Sequence, residues 1–216
     1  MEAIGRSLLL MMTIFAIVSN TVSADCDQDV CVADLTSGVK MNGYACREKI
    51  TAEDFFFNGL AKPGVNFTAL GTSVTPANVQ KIPGLNTLGV SMSRMDYAPG
   101  GLNPPHTHPR ATEISFVLEG ELDVAFITTS NVLYSKSIKK GDVFVFPRGL
   151  VHFQKNNGKV PASIVSAFNS QLPGTLSVGA TLFTASPPVP EDVLTKTFQV
   201  DIKEVGKIKS KFAPKK

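Results

Sequence analysis

Gly100-Gly101-Leu102-Asn103-Pro104-Pro105-His106-Thr107-His108-Pro109-Arg110-Ala111-Thr112-Glu113-Ile114-Ser115-Phe116-Val117-Leu118 carries two of the three histidines of the chain and runs directly into a strand-like segment. His106 and His108 stand two apart, so extended backbone puts both imidazoles on one face. Pro104, Pro105 and Pro109 favour that extended backbone and stiffen it, so less ligand entropy is lost when a metal binds. Glu113 is an odd number of residues from both histidines, and a regular strand would aim it the other way. A bend near Pro109-Arg110 is required if its carboxylate is to join them.

Downstream, Glu119-Gly120 leads into Glu121 to Ile127, where Leu122, Val124 and Phe126 share a face. Gly141-Asp142 opens Val143 to Phe146, and Pro147-Arg148-Gly149 ends it; Val151 to Gln154 and Ser163 to Phe168 follow. Short β-branched and aromatic runs between Gly and Pro turns predict an all-β sandwich or barrel. Upstream, Asp25 to Tyr97 reads as irregular, with strand character only from Leu88. Thr51 to Leu60 (TAEDFFFNGL) fits a short helix or an edge strand. At the other end, Phe198, Ile202, Val205, Ile208 and Phe212 make the apolar stripe of an amphipathic helix, with lysines opposite. Gly206 weakens that helix by about 1 kcal/mol or splits it in two. The stripe needs a partner, either the barrel itself or a neighbouring subunit.

His152, the third histidine, follows Pro147-Arg148-Gly149 and must arrive from a different strand than His106 and His108. Three imidazoles and the Glu113 carboxylate form a mixed N and O donor set for a borderline or hard divalent ion. Four such donors on an octahedral ion leave two positions open, which is a catalytic rather than a closed structural arrangement. Donor type alone does not separate Mn, Fe, Ni, Cu and Zn. Phe144, Phe146 and Phe153 either line a dry pocket beside the ion or serve as plain core.

The chain has 216 residues, is 43% hydrophobic and carries a formal charge of +3, which excludes wholesale disorder and gives no field for nucleic-acid binding. A mildly basic surface could still rest against an acidic polymer such as a cell-wall polysaccharide. Arg6, the apolar run Leu8 to Val18, and Val22-Ser23-Ala24 read as a secretory signal over residues 1–24, with the mature chain starting at Asp25. The run is too short for a membrane span, which takes about 20 apolar residues, and no later segment is long and apolar enough. Secretion favours a disulfide among Cys26, Cys31 and Cys46. A Cys31–Cys46 bridge would be worth about 3 kcal/mol, but three cysteines leave the pairing open. Asn66-Phe67-Thr68 is the one N-glycosylation sequon.

Two motifs carry a resemblance. Gly100, His106, His108, Glu113 and Gly120 match the first cupin motif, and Gly141, Pro147, Gly149, His152 and Asn156 match the second. Pro104 to Glu113 is similar to the germin box of plants; Gln28 to Leu35 resembles the family's mature N-terminus, and Leu194-Thr195-Lys196 with Lys209 to Phe212 its C-terminal helices. The resemblance implies a cupin jelly-roll β-barrel with a C-terminal α-helical extension. One domain would span 25–216, with a barrel over about 60–190 and helices over about 191–213. It implies Mn²⁺ at His106, His108, Glu113 and His152, and a Cys31–Cys46 disulfide with Cys26 unmatched. It also implies a homo-hexamer, a trimer of dimers, in the apoplast or cell wall, linked to defence and stress.

Some members of the family dismute superoxide and others oxidise oxalate, both yielding H₂O₂, and some relatives are assigned a nucleotide-sugar phosphodiesterase activity. Oxalate oxidases hold the dianion with two asparagines; Asn103 matches one, and Ser93 falls at the other position. A lost polar contact to a bound anion costs about 1–3 kcal/mol. A manganese superoxide dismutase-like activity is therefore expected, with Asn103 positioning the anion. Oxalate oxidase, and a non-enzymatic binding or storage (nutrient reservoir) protein, are the alternatives.

Overall fold

Among the described residues, ten antiparallel strands divide between two sheets, and the interior lies between them. The computed structural model describes residues 29–40 and 42–212. The signal segment, the start at Asp25, and Cys26 lie outside the described residues.

The first sheet has the order β1-β2-β9-β4-β7, and the second β10-β3-β8-β5-β6. In chain order the strands are β1 Thr72–Ala77, β2 Ser91–Tyr97, β3 Leu102–Thr107, β4 Glu113–Glu119 and β5 Glu121–Ile127. They continue as β6 Leu133–Lys139, β7 Val143–Phe146, β8 His152–Lys155, β9 Ala162–Phe168 and β10 Leu176–Ser177. Leu122 and Val124 are buried on one face of β5, with Phe126 half-buried beside them. The fold is therefore the all-β jelly roll expected, with helices at its C-terminal end.

Two expectations need correction. β1 lies inside the segment read as irregular. It contains Pro76, but β1 is the edge of its sheet, where a missing N–H is tolerated. The segment Thr51 to Leu60 is neither a helix of useful length nor a strand: it holds one 3-10 turn, Ala52–Phe55, whose Asp54 carboxylate accepts from the Thr51 N–H at 2.7 Å.

The inner face of the first sheet is layered by its register. Ser91, Phe168, Glu113 and Phe146 form one cross-strand row, and Ser93, Ser166, Ser115 and Phe144 the next. Met95, Ile164 and Val117 follow, and from there the interior is apolar, with Tyr97, Leu122, Val124 and Ile138 in the same core cluster.

Outside the barrel, Cys31 and Cys46 are joined by a disulfide. The buried Asn86 amide ties that loop down, donating to the Tyr44 carbonyl at 2.9 Å and accepting from the Tyr44 N–H at 3.1 Å. The C-terminal stripe is carried by two helices rather than one. Helices α1 Val178–Thr184, α2 Glu191–Phe198 and α3 Ile202–Phe212 follow β10, and the break falls at Gln199, left-handed at φ 53°, not at Gly206. Leu194 and Val205 are buried, Phe183 stacks on Phe198 and Phe212, and Phe198, Ile202 and Phe212 keep exposed surface. No helix among the described residues is long and apolar enough to cross a membrane.

Candidate metal centre

His106 and His152 face each other across the β3–β8 ladder, with ring centroids 4.2 Å apart. The ladder is irregular between Asn103 and His106, where Pro104 and Pro105 supply no N–H to it. His108 lies one residue past β3 and meets Phe168 of β9 edge-on at 4.9 Å. The chain then turns at Pro109-Arg110 and enters the other sheet, where Glu113 starts β4. The required bend is thus a crossing between sheets. It brings a carboxylate from one sheet to imidazoles held by the other.

All three rings are aimed by the same device. Nδ1 of His106 donates to the Pro104 carbonyl at 2.8 Å, Nδ1 of His108 to the Gly174 carbonyl at 2.5 Å, and Nδ1 of His152 to the Leu150 carbonyl at 2.8 Å. A carbonyl oxygen only accepts, so each Nδ1 carries the proton and each Nε2 turns inward. Nε2 of His108 and of His152 lie 3.1 and 3.3 Å from Glu113 Oε2. One donor atom from each of the four residues falls within 4.8 Å of all the others. Lone pairs so placed repel unless a proton or a cation sits among them. The arrangement fits a divalent cation by donor type and by aim.

The other carboxylate oxygen is also held. Ser115 Oγ and Ser166 Oγ lie 2.8 and 2.7 Å from Glu113 Oε1, where each can donate. All four donor residues are buried. Burial alone would raise the Glu113 carboxyl, but the hydrogen bonds with His108 and His152 hold it well below the usual carboxylate range. Burial, aided by the neighbouring His152, pushes His106 down to about 4. Burial also pulls at His108, yet its contacts with Glu113 and Gly174 leave it above its ordinary value.

A cavity of about 400 Å³ opens beside the cluster, lined among others by Ser93, Met95, Asn103, His106, His108 and Glu113. Asn103 Nδ2 donates to Gln154 Oε1 at 2.7 Å and lies 3.4 Å from His106 Nε2. Ser93 sits beside Ser166 in the polar row. Phe146 stacks on His152 at 4.6 Å with Phe144 behind it, whereas Phe153 follows His152 in β8 and so takes the opposite face. Phe146 therefore walls the cluster, and Phe153 plays no part in it.

The cupin family model matches residues 58–206. The chain is 65% identical over 208 residues to germin-like protein 5-1 of Oryza sativa subsp. japonica, covering 96% of this chain and 94% of that one. It is 69% identical over 192 residues to germin-like protein subfamily 2 member 4 of Arabidopsis thaliana, covering 88% and 87%. This chain belongs to the germin-like cupins. Among solved structures, a recombinant oxalate oxidase in complex with glycolate is 49% identical, with a TM-score of 0.83 over 86% of this chain and 96% of that one.

In this germin-like cupin the four expected donors come together, and Asn103 and Ser93 share their cavity. Sequence reasoning missed Ser115, Ser166, Gln154 and the Gly174 carbonyl. Ser115 had a local signal, since it stands two residues after Glu113 and shares its face. Ser166 and Gly174 had none, because they reach the site from distant chain.

Proposed function

We propose that this germin-like cupin is a secreted manganese protein that converts two superoxide anions and two protons into one O₂ and one H₂O₂ in the apoplast. The carrying observation is the convergence of three Nε2 atoms and one carboxylate oxygen beside a small cavity. A bound manganese ion would supply the one-electron couple at His106, His108, Glu113 and His152. The rest falls to the chain. Ser115 and Ser166 hold Glu113 Oε1, so that Oε2 faces the rings. Gln154 fixes one Asn103 N–H, leaving the other to position a small anion. Met95 and Phe168 give the cavity apolar walls that limit water.

Oxalate oxidation is the second reading, favoured by the 49% identity to an oxalate oxidase. Against it, the single hydroxyl of Ser93 lacks the reach and the two donors of an asparagine amide. The protein purified from culture medium should contain manganese by elemental analysis and consume superoxide in an assay run beside oxalate. Oxalate turnover by the wild type, increased in Ser93→Asn, would move the assignment to the second reading. Turnover of neither substrate by fully loaded protein would leave a binding or storage role. Full manganese occupancy in His108→Ala would refute the donor set itself.

Secretion also accounts for the Cys31–Cys46 disulfide, which oxidising compartments favour. Asn66 is exposed before β1, and a glycan there should appear as a mass lost on deglycosylation. The outer face of the first sheet presents Met92, Ile114, Phe116, Val143 and Val145, all exposed, in adjoining cross-strand rows. An apolar cavity of about 840 Å³ lined by Phe55, Phe56 and Ile114 adjoins them. A second copy of the chain is the proposed cover, giving the hexamer that the resemblance implies. The mass of the native particle by light scattering tests it.

A further inference from the structure

The donor cavity has one cationic side chain at its rim. Arg110 is exposed and is the only lysine or arginine among the described residues that lines the cavity. It is fixed rather than loose. Its backbone N–H donates to the Pro173 carbonyl at 3.3 Å and its Nε to the Leu172 carbonyl at 2.8 Å. The guanidinium lies against Gly174, where an added Cβ would come within 2.9 Å of Nη2. Gly174 is the residue whose carbonyl aims His108. These contacts occupy Nε and leave Nη1 and Nη2 without a hydrogen-bond partner among the described residues.

The charge is also uncompensated. Arg47 pairs with Asp54 and Arg94 with Asp96, whereas no carboxylate among the described residues forms a salt bridge with Arg110. Arg110 also borders a polar groove of about 820 Å³, whose only other charged lining residue among the described residues is Lys40. Both openings therefore adjoin at Arg110 and Leu172, and among the described residues the buried Glu113 is the one carboxylate lining either. An unpaired positive charge beside low-dielectric walls focuses the field at an opening and raises the local concentration of anions.

We propose that Arg110 selects small anions at the mouth of the donor cavity, guiding them from the polar groove toward the cluster. The inference rests on the reading of the cluster as a metal centre that takes an anionic substrate. Superoxide and a small carboxylate share the chemistry that Arg110 recognises, and the neutral O₂ and H₂O₂ do not.

The test compares manganese-loaded wild type, Arg110→Lys and Arg110→Gln. Both variants lose the Nε–H that donates to the Leu172 carbonyl, and only Lys keeps the charge. At low ionic strength the second-order rate of superoxide consumption should fall about ten-fold in Arg110→Gln, and its dependence on salt should flatten. Arg110→Lys should keep most of the salt dependence. Azide, titrated against the manganese EPR spectrum, should bind about ten-fold more weakly to Arg110→Gln than to Arg110→Lys. Equal azide affinity and an unchanged salt slope in fully loaded Arg110→Gln would overturn the proposal. So would loss of manganese from both variants, which would make Arg110 a support for His108 alone. If the wild type consumes neither superoxide nor oxalate, the dismutase reading fails while the azide comparison still decides the role of Arg110.

Discussion

The two ends of the barrel interior are made from the same strands and hold opposite chemistries. At one end Glu113, Ser115, Ser166 and Ser93 point inward beside three histidines. One row further along the same strands, Met95, Ile164 and Val117 begin a core that continues through Tyr97, Leu122 and Val124. The strand period of two decides which side chains face inward, and it does so identically at both ends. What differs is how a buried group is made tolerable. The apolar end needs only close packing, whereas the polar end needs a partner for each buried charge and hydroxyl.

The sharpest way to break the comparison is at Glu113. Glu113→Gln removes the single negative charge of the cluster, and the purified protein should retain no stoichiometric metal by elemental analysis while its circular dichroism stays native. At the other end Ile164→Ala should lower unfolding free energy by about 2–5 kcal/mol in denaturant melts, with metal per folded molecule unchanged. Should Ile164→Ala abolish binding while remaining folded, the two ends are not independent.

Removing only the supports of Glu113 gives a smaller effect. Ser115→Ala combined with Ser166→Ala should weaken manganese affinity about 10–100-fold in a chelator competition, because Oε1 is released and Oε2 loses its aim. Acid should act on the polar end alone. His106 titrates at about 4 in the fold against 6.5 for an ordinary histidine, so the unfolded chain takes up the proton first. Its contribution is complete above about 6.5 and is lost as pH falls toward 4. Glu113, also depressed, adds to the loss below its ordinary value of 4.5. His108 is raised, so what it contributes is complete below 6.5 and disappears at higher pH, outside that window. The melting temperature of metal-free protein should therefore fall between pH 6.5 and 4, and the slope should persist in Ile164→Ala. A flat profile would contradict the burial of a neutral His106.

The smallest effect is expected at Gly174. Its φ of 70° and the guanidinium lying against it both disfavour a side chain. Gly174→Ala should cost about 1 kcal/mol in stability and displace the carbonyl that aims His108, weakening metal binding severalfold in the same competition.

Much of this was legible in the chain, for reasons tied to distance along it. The strands from Ile114 onward announce themselves by short apolar runs between Gly and Pro turns, and the four donors lie in two short contexts. β1 went unread in a segment that reads as irregular, and it carries a proline that only an edge strand tolerates. The C-terminal stripe keeps helical spacing straight through Gln199, so periodicity could not reveal the left-handed residue that divides it. Ser166 was invisible because its place beside Ser115 is set by pairing between β4 and β9, strands far apart in sequence.

The imidazoles take their bearing from main-chain oxygens at positions 104, 150 and 174, and a main-chain oxygen is present whatever residue stands there. Exchanging side chains can alter the backbone that carries these oxygens, but it cannot delete them. The walls enjoy no such protection: position 93 is occupied by whatever side chain the gene specifies. A single exchange in the walls can therefore change what the chamber admits while the aim of the three rings stays as it is.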